Sequence, residues 1–140
     1  KNLMEQIEKI ISALSKVYQD SPANIDIIVT EALRFKGDEG DLLEILGNLL
    51  DNAFKYGGGE IRISADQTAN GSIKLCIADN GPGVTAGLSA QILQRGERAD
   101  TLKSGPGIGL AIVTDIVSSY RGSLQLDRSE LGGLAVTLEI

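Results

Sequence analysis

Apolar positions along this chain recur with two alternating periods, and the switches between them mark out helices and strands. Leu3, Ile7, Ile10, Leu14 and Val17 follow a 4-3-4-3 spacing, which predicts an amphipathic helix from Lys1 to about Gln19, stopped by Asp20-Ser21-Pro22. Two and a half heptads favour packing on a core over a dimer seam. Ile25, Ile27 and Val29 alternate as a strand, and the short apolar piece at Leu33 and Phe35 is expected to pair with it. Asp38 is placed to cap a second helix, which runs to the triple glycine Gly57-Gly58-Gly59. Ile61, Ile63 and Ala65 alternate, as do Ile73, Leu75 and Ile77, with Ala69-Asn70-Gly71 as the hairpin turn between them. Asn80 to Ser104 has little periodicity, and loops of that length are usually functional or mobile. Ile108 to Tyr120 returns to a helical period, with Ile108, Ile112, Ile116, Val113 and Val117 on its apolar side. Two strands close the chain, Ser123 to Asp127 and Leu134 to Ile140. The sum predicts an α+β fold of two layers: a mixed, mostly antiparallel sheet of about five strands with helices on one face.

Composition then removes whole classes of function. At 140 residues and 42% apolar content, the chain suffices for one well-buried domain, spanning 1–140, and is too short for two ordinary ones. A net charge of −6 and a pI near 4.6, with no basic cluster, argue against nucleic acid as a partner. The single cysteine, Cys76, sits in a strand-like run, so no disulfide can form within the chain and a reducing compartment is expected. No apolar run approaches the ~18 residues that span a bilayer, so no direct membrane contact is expected of this stretch. The start at Lys1 without methionine points to a piece of a longer protein. The absence of histidine removes His-based triads, His metal sites and imidazole acid–base chemistry.

Three local patterns carry candidate chemistry. On the second helix, Glu44, Asn48, Asn52 and Lys55 fall within about 80° of one another, opposite Leu42, Leu46, Leu49 and Ala53. Asparagine is a poor helix former, so two of them one turn apart in mid-helix call for a reason. Amide oxygens suit a hard cation such as magnesium, and the lysine suits the phosphates that accompany it. The plainer alternative is a solvated helix face. Asp79 is the second pattern: the period of two places it on the inward face of the strand Ile73-Leu75-Ile77, just where Gly81 and Gly83 begin. A buried carboxylate needs a donor, and the exocyclic amine of a purine is one; the alternative is turn chemistry, with Asp79 bonding its own backbone. Third, Gly105-Pro106-Gly107-Ile108-Gly109 opens directly into a helix, where backbone amides and the helix dipole favour phosphate; the alternative is a flexible loop with a cap. The spacing is not the dinucleotide fingerprint, and no Gly-Lys-Ser/Thr follows as a P-loop requires.

Taken in order, the three patterns resemble the GHKL nucleotide-binding superfamily, and within it the catalytic domain of a sensor histidine kinase. Asn48-Leu49-Leu50-Asp51-Asn52-Ala53-Phe54-Lys55-Tyr56 resembles the kinase N box. Ser12-Ala13-Leu14, Lys16-Val17-Tyr18-Gln19, Asn24-Ile25 and the stretch Arg95 to Leu102 look like one particular group of these kinases. The resemblance implies the two-layer Bergerat ATP-binding fold, with residues 1–20 as a helix leading in from a dimerisation and phosphoacceptor domain. It implies ATP and magnesium as ligands: Asn48 and Asn52 on the metal, Lys55 on the phosphates, Tyr56 against the nucleotide, and Asp79 on the adenine amine with Gly81 and Gly83 in support. Gly105, Gly107, Ile108, Gly109 and Leu110 would form the phosphate-facing loop and helix start, with Arg98 and Lys103 reaching in from a lid. Glu44, Lys55 and Arg98 would be the catalytic set, Glu44 polarising the acceptor imidazole or a water. The reaction implied is transfer of the γ-phosphoryl group to a histidine on the dimerisation domain, for relay to a response regulator. The parent would be a homodimeric bacterial inner-membrane sensor with this domain in the cytoplasm.

Several positions depart from that pattern. Without histidine, this chain is expected to bind ATP and not to phosphorylate itself. Pro106 replaces a glutamine and has no amide hydrogen, which bears on one γ-phosphate or magnesium contact. Lys103 replaces an arginine, and Leu93 stands where an aromatic is usual. A serine kinase or ATPase of another branch, or a nucleotide-binding pseudokinase, would share the same motifs.

Overall fold

In the computed structural model, residues 2–20, 22–29, 33–56, 59–81 and 107–140 are described. Helix α1 spans Leu3–Val17, β1 Asn24–Val29, α2 Glu39–Tyr56, β2 Glu60–Gln67, β3 Ile73–Asp79, α3 Gly107–Ser119, β4 Ser123–Arg128 and β5 Leu134–Glu139. The strands form one sheet in the order β1-β2-β3-β5-β4, with β1 and β2 parallel and the other three pairs antiparallel. The mixed, mostly antiparallel five-stranded sheet expected from the periodicity is therefore present.

Alternation along the strands decides which face is covered. Ile61, Ile63 and Ala65 of β2, Ile73, Leu75 and Ile77 of β3, and Val136 and Leu138 of β5 are all buried. Against them lie Leu42, Ile45, Leu46, Leu49, Leu50, Ala53 and Phe54 of α2, with Leu3 and Ile7 of α1 and Leu110, Val113 and Val117 of α3. Burying each of the Leu, Ile, Val and Phe side chains among them contributes roughly 1.5–3 kcal/mol, so this shared face is the main source of stability. Helix α2 contacts α1, α3 and β3, and so forms the centre of the helical layer.

Local chemistry sets the helix ends. Asn2 caps α1, its Oδ1 accepting from the Glu5 amide at 3.0 Å. Asp38 caps α2 as expected, Oδ2 accepting from the Asp41 amide at 3.1 Å. The Tyr120 hydroxyl reinforces this cap, accepting from the Asp38 amide at 2.9 Å and donating to Asp41 Oδ2 at 2.7 Å. Its ring packs edge-on to Phe35, and a methyl at Gly37 would lie 2.5 Å from it.

Donation to the Asp41 carboxylate is the leading cause that raises the Tyr120 hydroxyl above its ordinary pKa of 10.0. The stability from a raised group is fully present below the ordinary value and is lost as pH rises through the folded value. Tyr120→Phe is therefore expected to lower the melting temperature near neutral pH and to flatten the alkaline fall in stability seen in the parent chain. Parallel alkaline limbs in melts at pH 7 and above would refute the assignment.

Two expectations are corrected. The Leu33–Phe35 segment does not pair with β1: Arg34 makes an isolated antiparallel bridge to Asn2, and the Leu33 carbonyl accepts from the Leu3 amide at 3.1 Å, so the segment ties down the start of α1. In α3, Ile112 is 39% exposed, and the buried side is Leu110, Val113 and Val117 with Ile116 partly covered. This helix is apolar nearly all round, and its contact with α2, not its own periodicity, chose the buried stripe.

Candidate functional site

Helix α2 presents core residues to the sheet and the polar stripe to the other side. Glu44 and Lys55 are exposed, and Asn48 and Asn52 are half-buried. Asn48 Nδ2 donates to the Glu44 carbonyl at 2.8 Å and to Glu44 Oε2 at 3.0 Å. Two acceptors facing that atom identify it as the nitrogen, which leaves the Asn48 carbonyl oxygen as the group it can offer a ligand. Asn52 differs: its Nδ2 is shut off from solvent with no partner among the described residues. A buried amide nitrogen without a partner costs about 1–3 kcal/mol, and as a donor it suits a phosphate oxygen, leaving the Asn52 carbonyl oxygen as the group for a cation.

That donor set tests the fit of magnesium. Among the described residues no cluster of three or more acidic, Cys or His side chains could hold a metal unaided. Two amide oxygens are hard but neutral ligands, suited to a magnesium ion that brings most of its coordination as phosphate oxygens and water. The stripe fits a metal delivered with a nucleotide and does not fit a resident one.

Asp79 ends β3 at 8% exposure. Its Oδ1 accepts from the Gly81 amide at 2.9 Å and from the Leu134 amide at 3.2 Å, while its main-chain carbonyl accepts from Gly133 N at 3.1 Å. The turn-chemistry alternative is thus realised by this side chain. Oδ1 performs the turn chemistry, and none of the described hydrogen bonds ends on Oδ2, which leaves that oxygen for an outside donor. Neighbouring Asn80 closes the β2–β3 ladder, its Oδ1 accepting from Glu60 N at 3.0 Å and its amide donating to the Glu60 carbonyl at 3.2 Å.

Gly107, Ile108, Gly109 and Leu110 occupy the first turn of α3, where amides have no intrahelical partner and the dipole is positive. Leu110 is fully buried, so what it can offer a phosphate is its main-chain amide alone. Because α2 contacts both β3 and α3, the three patterns sit on α2 and on two elements packed against it. Gly83, Leu93, Arg98, Lys103, Gly105 and Pro106 lie outside the described residues, as do the side chains of Tyr56 and Ile108.

Gly133 and Leu134 are the contributors that sequence reasoning missed. The available signal was the Gly132-Gly133 pair directly before the last strand, and its meaning depends on β5 lying beside β3.

The comparisons with known proteins agree with this geometry. Residues 37–140 match the family of histidine kinase-, DNA gyrase B- and HSP90-like ATPases. The two-component sensor PhoQ of Pseudomonas aeruginosa is 45% identical over 127 residues, covering 91% of this chain and 28% of that protein. The virulence sensor histidine kinase PhoQ of Salmonella typhimurium is 39% identical over 127 residues, covering 91% of this chain and 26% of that protein. The chain therefore spans about a quarter of the length of these curated relatives. Among solved structures, the mycobacterial sensor histidine kinase MprB superposes with a TM-score of 0.83 at 27% identity, covering 100% of this chain and 94% of that one. Full-length ShkA in complex with AMPPNP superposes with a TM-score of 0.80 at 27% identity, over 99% of this chain and 29% of that one. With the motif order, the fold and these matches in agreement, the chain belongs to the histidine kinase-, DNA gyrase B- and HSP90-like ATPase family, and within it to the ATP-binding catalytic domains of sensor histidine kinases.

Proposed function

We propose that this domain binds ATP with magnesium and passes the γ-phosphoryl group to a histidine on a dimerisation domain of the same protein, for relay to a response regulator. The observation that carries the reading is Asp79, a buried carboxylate with one oxygen held by backbone amides and the other without a partner among the described residues. Such a group selects a purine with an exocyclic amine over one with a carbonyl there.

The stripe on α2 supplies the remaining roles. Asn48 and Asn52 would hold the magnesium, which screens the phosphate charge, and Lys55 adds a cation one turn on. In the transfer, the bond from the γ-phosphorus to its bridging oxygen breaks, a nitrogen–phosphorus bond forms, and ADP leaves. The imidazole proton passes to Glu44, exposed on the same helix. An open groove of about 590 Å³, lined by Leu14, Leu43, Glu44, Gly47, Asn48 and Asp51 among others, supports the approach of the acceptor domain from this side. Arg98 and Lys103, in the sequence between β3 and α3, are the further cations we assign to the phosphates. The relatives' names support a sensor as the parent, and its form as a homodimeric, membrane-anchored protein with this domain in the cytoplasm belongs to the same proposal. No helix among the described residues is long and apolar enough to cross a membrane.

Calorimetry with and without magnesium tests the metal assignment. Asn52→Ala is expected to weaken magnesium–ATP binding about tenfold and to remove most of the magnesium dependence. Unchanged affinity and magnesium dependence would remove Asn52 from the site. Radiolabelled γ-phosphate should then appear on a histidine-bearing dimerisation domain supplied in trans. Steady-state hydrolysis without labelling would move the chain to a hydrolytic branch, and binding without either would make it a pseudokinase.

A further inference from the structure

The turn between β4 and β5 is built around Asp79. Ser129, itself 4% exposed, organises it: its amide donates to the Gly133 carbonyl at 2.7 Å, its carbonyl accepts from Gly132 N at 2.9 Å, and its Oγ accepts from Leu131 N at 2.9 Å. The turn delivers the Gly133 amide to the Asp79 carbonyl and the Leu134 amide to Asp79 Oδ1. Contact at Gly133 is so close that a methyl there would lie 2.2 Å from Asp79 Oδ1, 2.5 Å from Gly81 N and 2.7 Å from the Asp79 carbonyl oxygen. Real Cβ atoms essentially never approach a neighbour under 3.0 Å, and two of these three atoms are backbone, which has little room to move.

We infer that Gly133 is a positioning residue that fixes which oxygen of Asp79 meets the nucleobase, so that the β4–β5 turn sets the base preference of the site. The inference rests on the reading of Asp79 as the group that meets the adenine amine. Its physical content is orientational. Oδ1 already accepts two amide hydrogens, so turning the carboxylate over would require both bonds to be remade. In the parent chain the two oxygens are chemically alike, and the clamp is hidden. Asp79→Asn makes the atoms different. Two backbone donors at the Oδ1 position demand the amide oxygen there, which forces the amide nitrogen, a donor, into the Oδ2 position. A donor at that point repels the adenine amine and donates to the carbonyl of a 6-oxopurine.

The experiment is equilibrium binding of ATP, ITP and purine riboside triphosphate, which lacks the exocyclic group, to the parent chain, Asp79→Asn and Gly133→Ala. The parent is expected to prefer ATP. Asp79→Asn is expected to reverse the order, binding ITP about tenfold more tightly than ATP. Gly133→Ala is expected to lose about tenfold or more in ATP affinity and less than about threefold in purine riboside triphosphate affinity, a difference that general damage to the fold does not produce. An Asp79→Asn variant that still prefers ATP has an amide free to flip, which overturns the clamp. Equal losses for both nucleotides in Gly133→Ala overturn it as well. Should Gly133→Ala fail to fold, the Asp79→Asn result decides. A parent chain that does not distinguish the three nucleotides would overturn the adenine reading of Asp79, and the selectivity role of the turn with it.

Discussion

Asp79→Ala is expected to reduce ATP affinity by at least about 100-fold, the largest functional effect of any single substitution in the described site. Adenine entering the pocket gives up water around its amine, and without Oδ2 it finds no acceptor in exchange. The loss exceeds that of one ordinary hydrogen bond because the partner is a buried carboxylate whose geometry is set before the ligand arrives. Alanine also strands the Gly81 and Leu134 amides, so a lower melting temperature is expected, of a size tolerable for a domain of this stability. Calorimetry on folded variant protein, judged by its circular dichroism, measures the effect. ATP affinity within threefold of the parent would show that the nucleobase is bound elsewhere.

Leu46→Ala is the substitution with the largest expected effect on stability. Leu46 is fully buried on the sheet-facing side of α2, the helix that contacts α1, α3 and β3. Truncating a leucine in such a position costs about 2–5 kcal/mol, the transfer energy of the lost atoms plus the cavity left behind. Against a typical total of roughly 5–15 kcal/mol, this places the variant close to unfolding. Urea unfolding should show a lower midpoint with little change in slope. The same helix carries Asn48 and Asn52 on its other side, so core and site are coupled through its position. ATP at about 100 times its dissociation constant should return roughly 2.7 kcal/mol to parent and variant alike, provided the variant's native state keeps the site. A loss under about 1 kcal/mol would mean that the core closes over the gap.

Much of this is legible in the sequence alone. Apolar period alone marks every helix and strand named above, because a residue's face is a local property of spacing along a helix or strand. The polar stripe on α2, the inward placing of Asp79 and the glycines at the start of α3 are legible for the same reason, each lying within a single element. Leu33, Arg34 and Phe35 were not, since their bridge to Asn2 depends on where α1 begins in space. Neither was the outward turn of Ile112: a helix apolar on most sides has no preferred stripe until a neighbour covers one.

By itself, then, the sequence determined the order of elements, the inward face of each strand and the kinds of chemical groups available, all of which follow from short-range spacing and residue type. Only the tertiary structure decided that β1 runs parallel to β2, that β5 lies between β3 and β4, and that Gly133 presses on Asp79. Strand partners are chosen by packing between segments far apart in the chain, and no local period encodes that choice. Asp79 could be recognised as an acid at the end of a buried row, but the oxygen it keeps for a ligand is set by two amides, one of them from the far end of the chain.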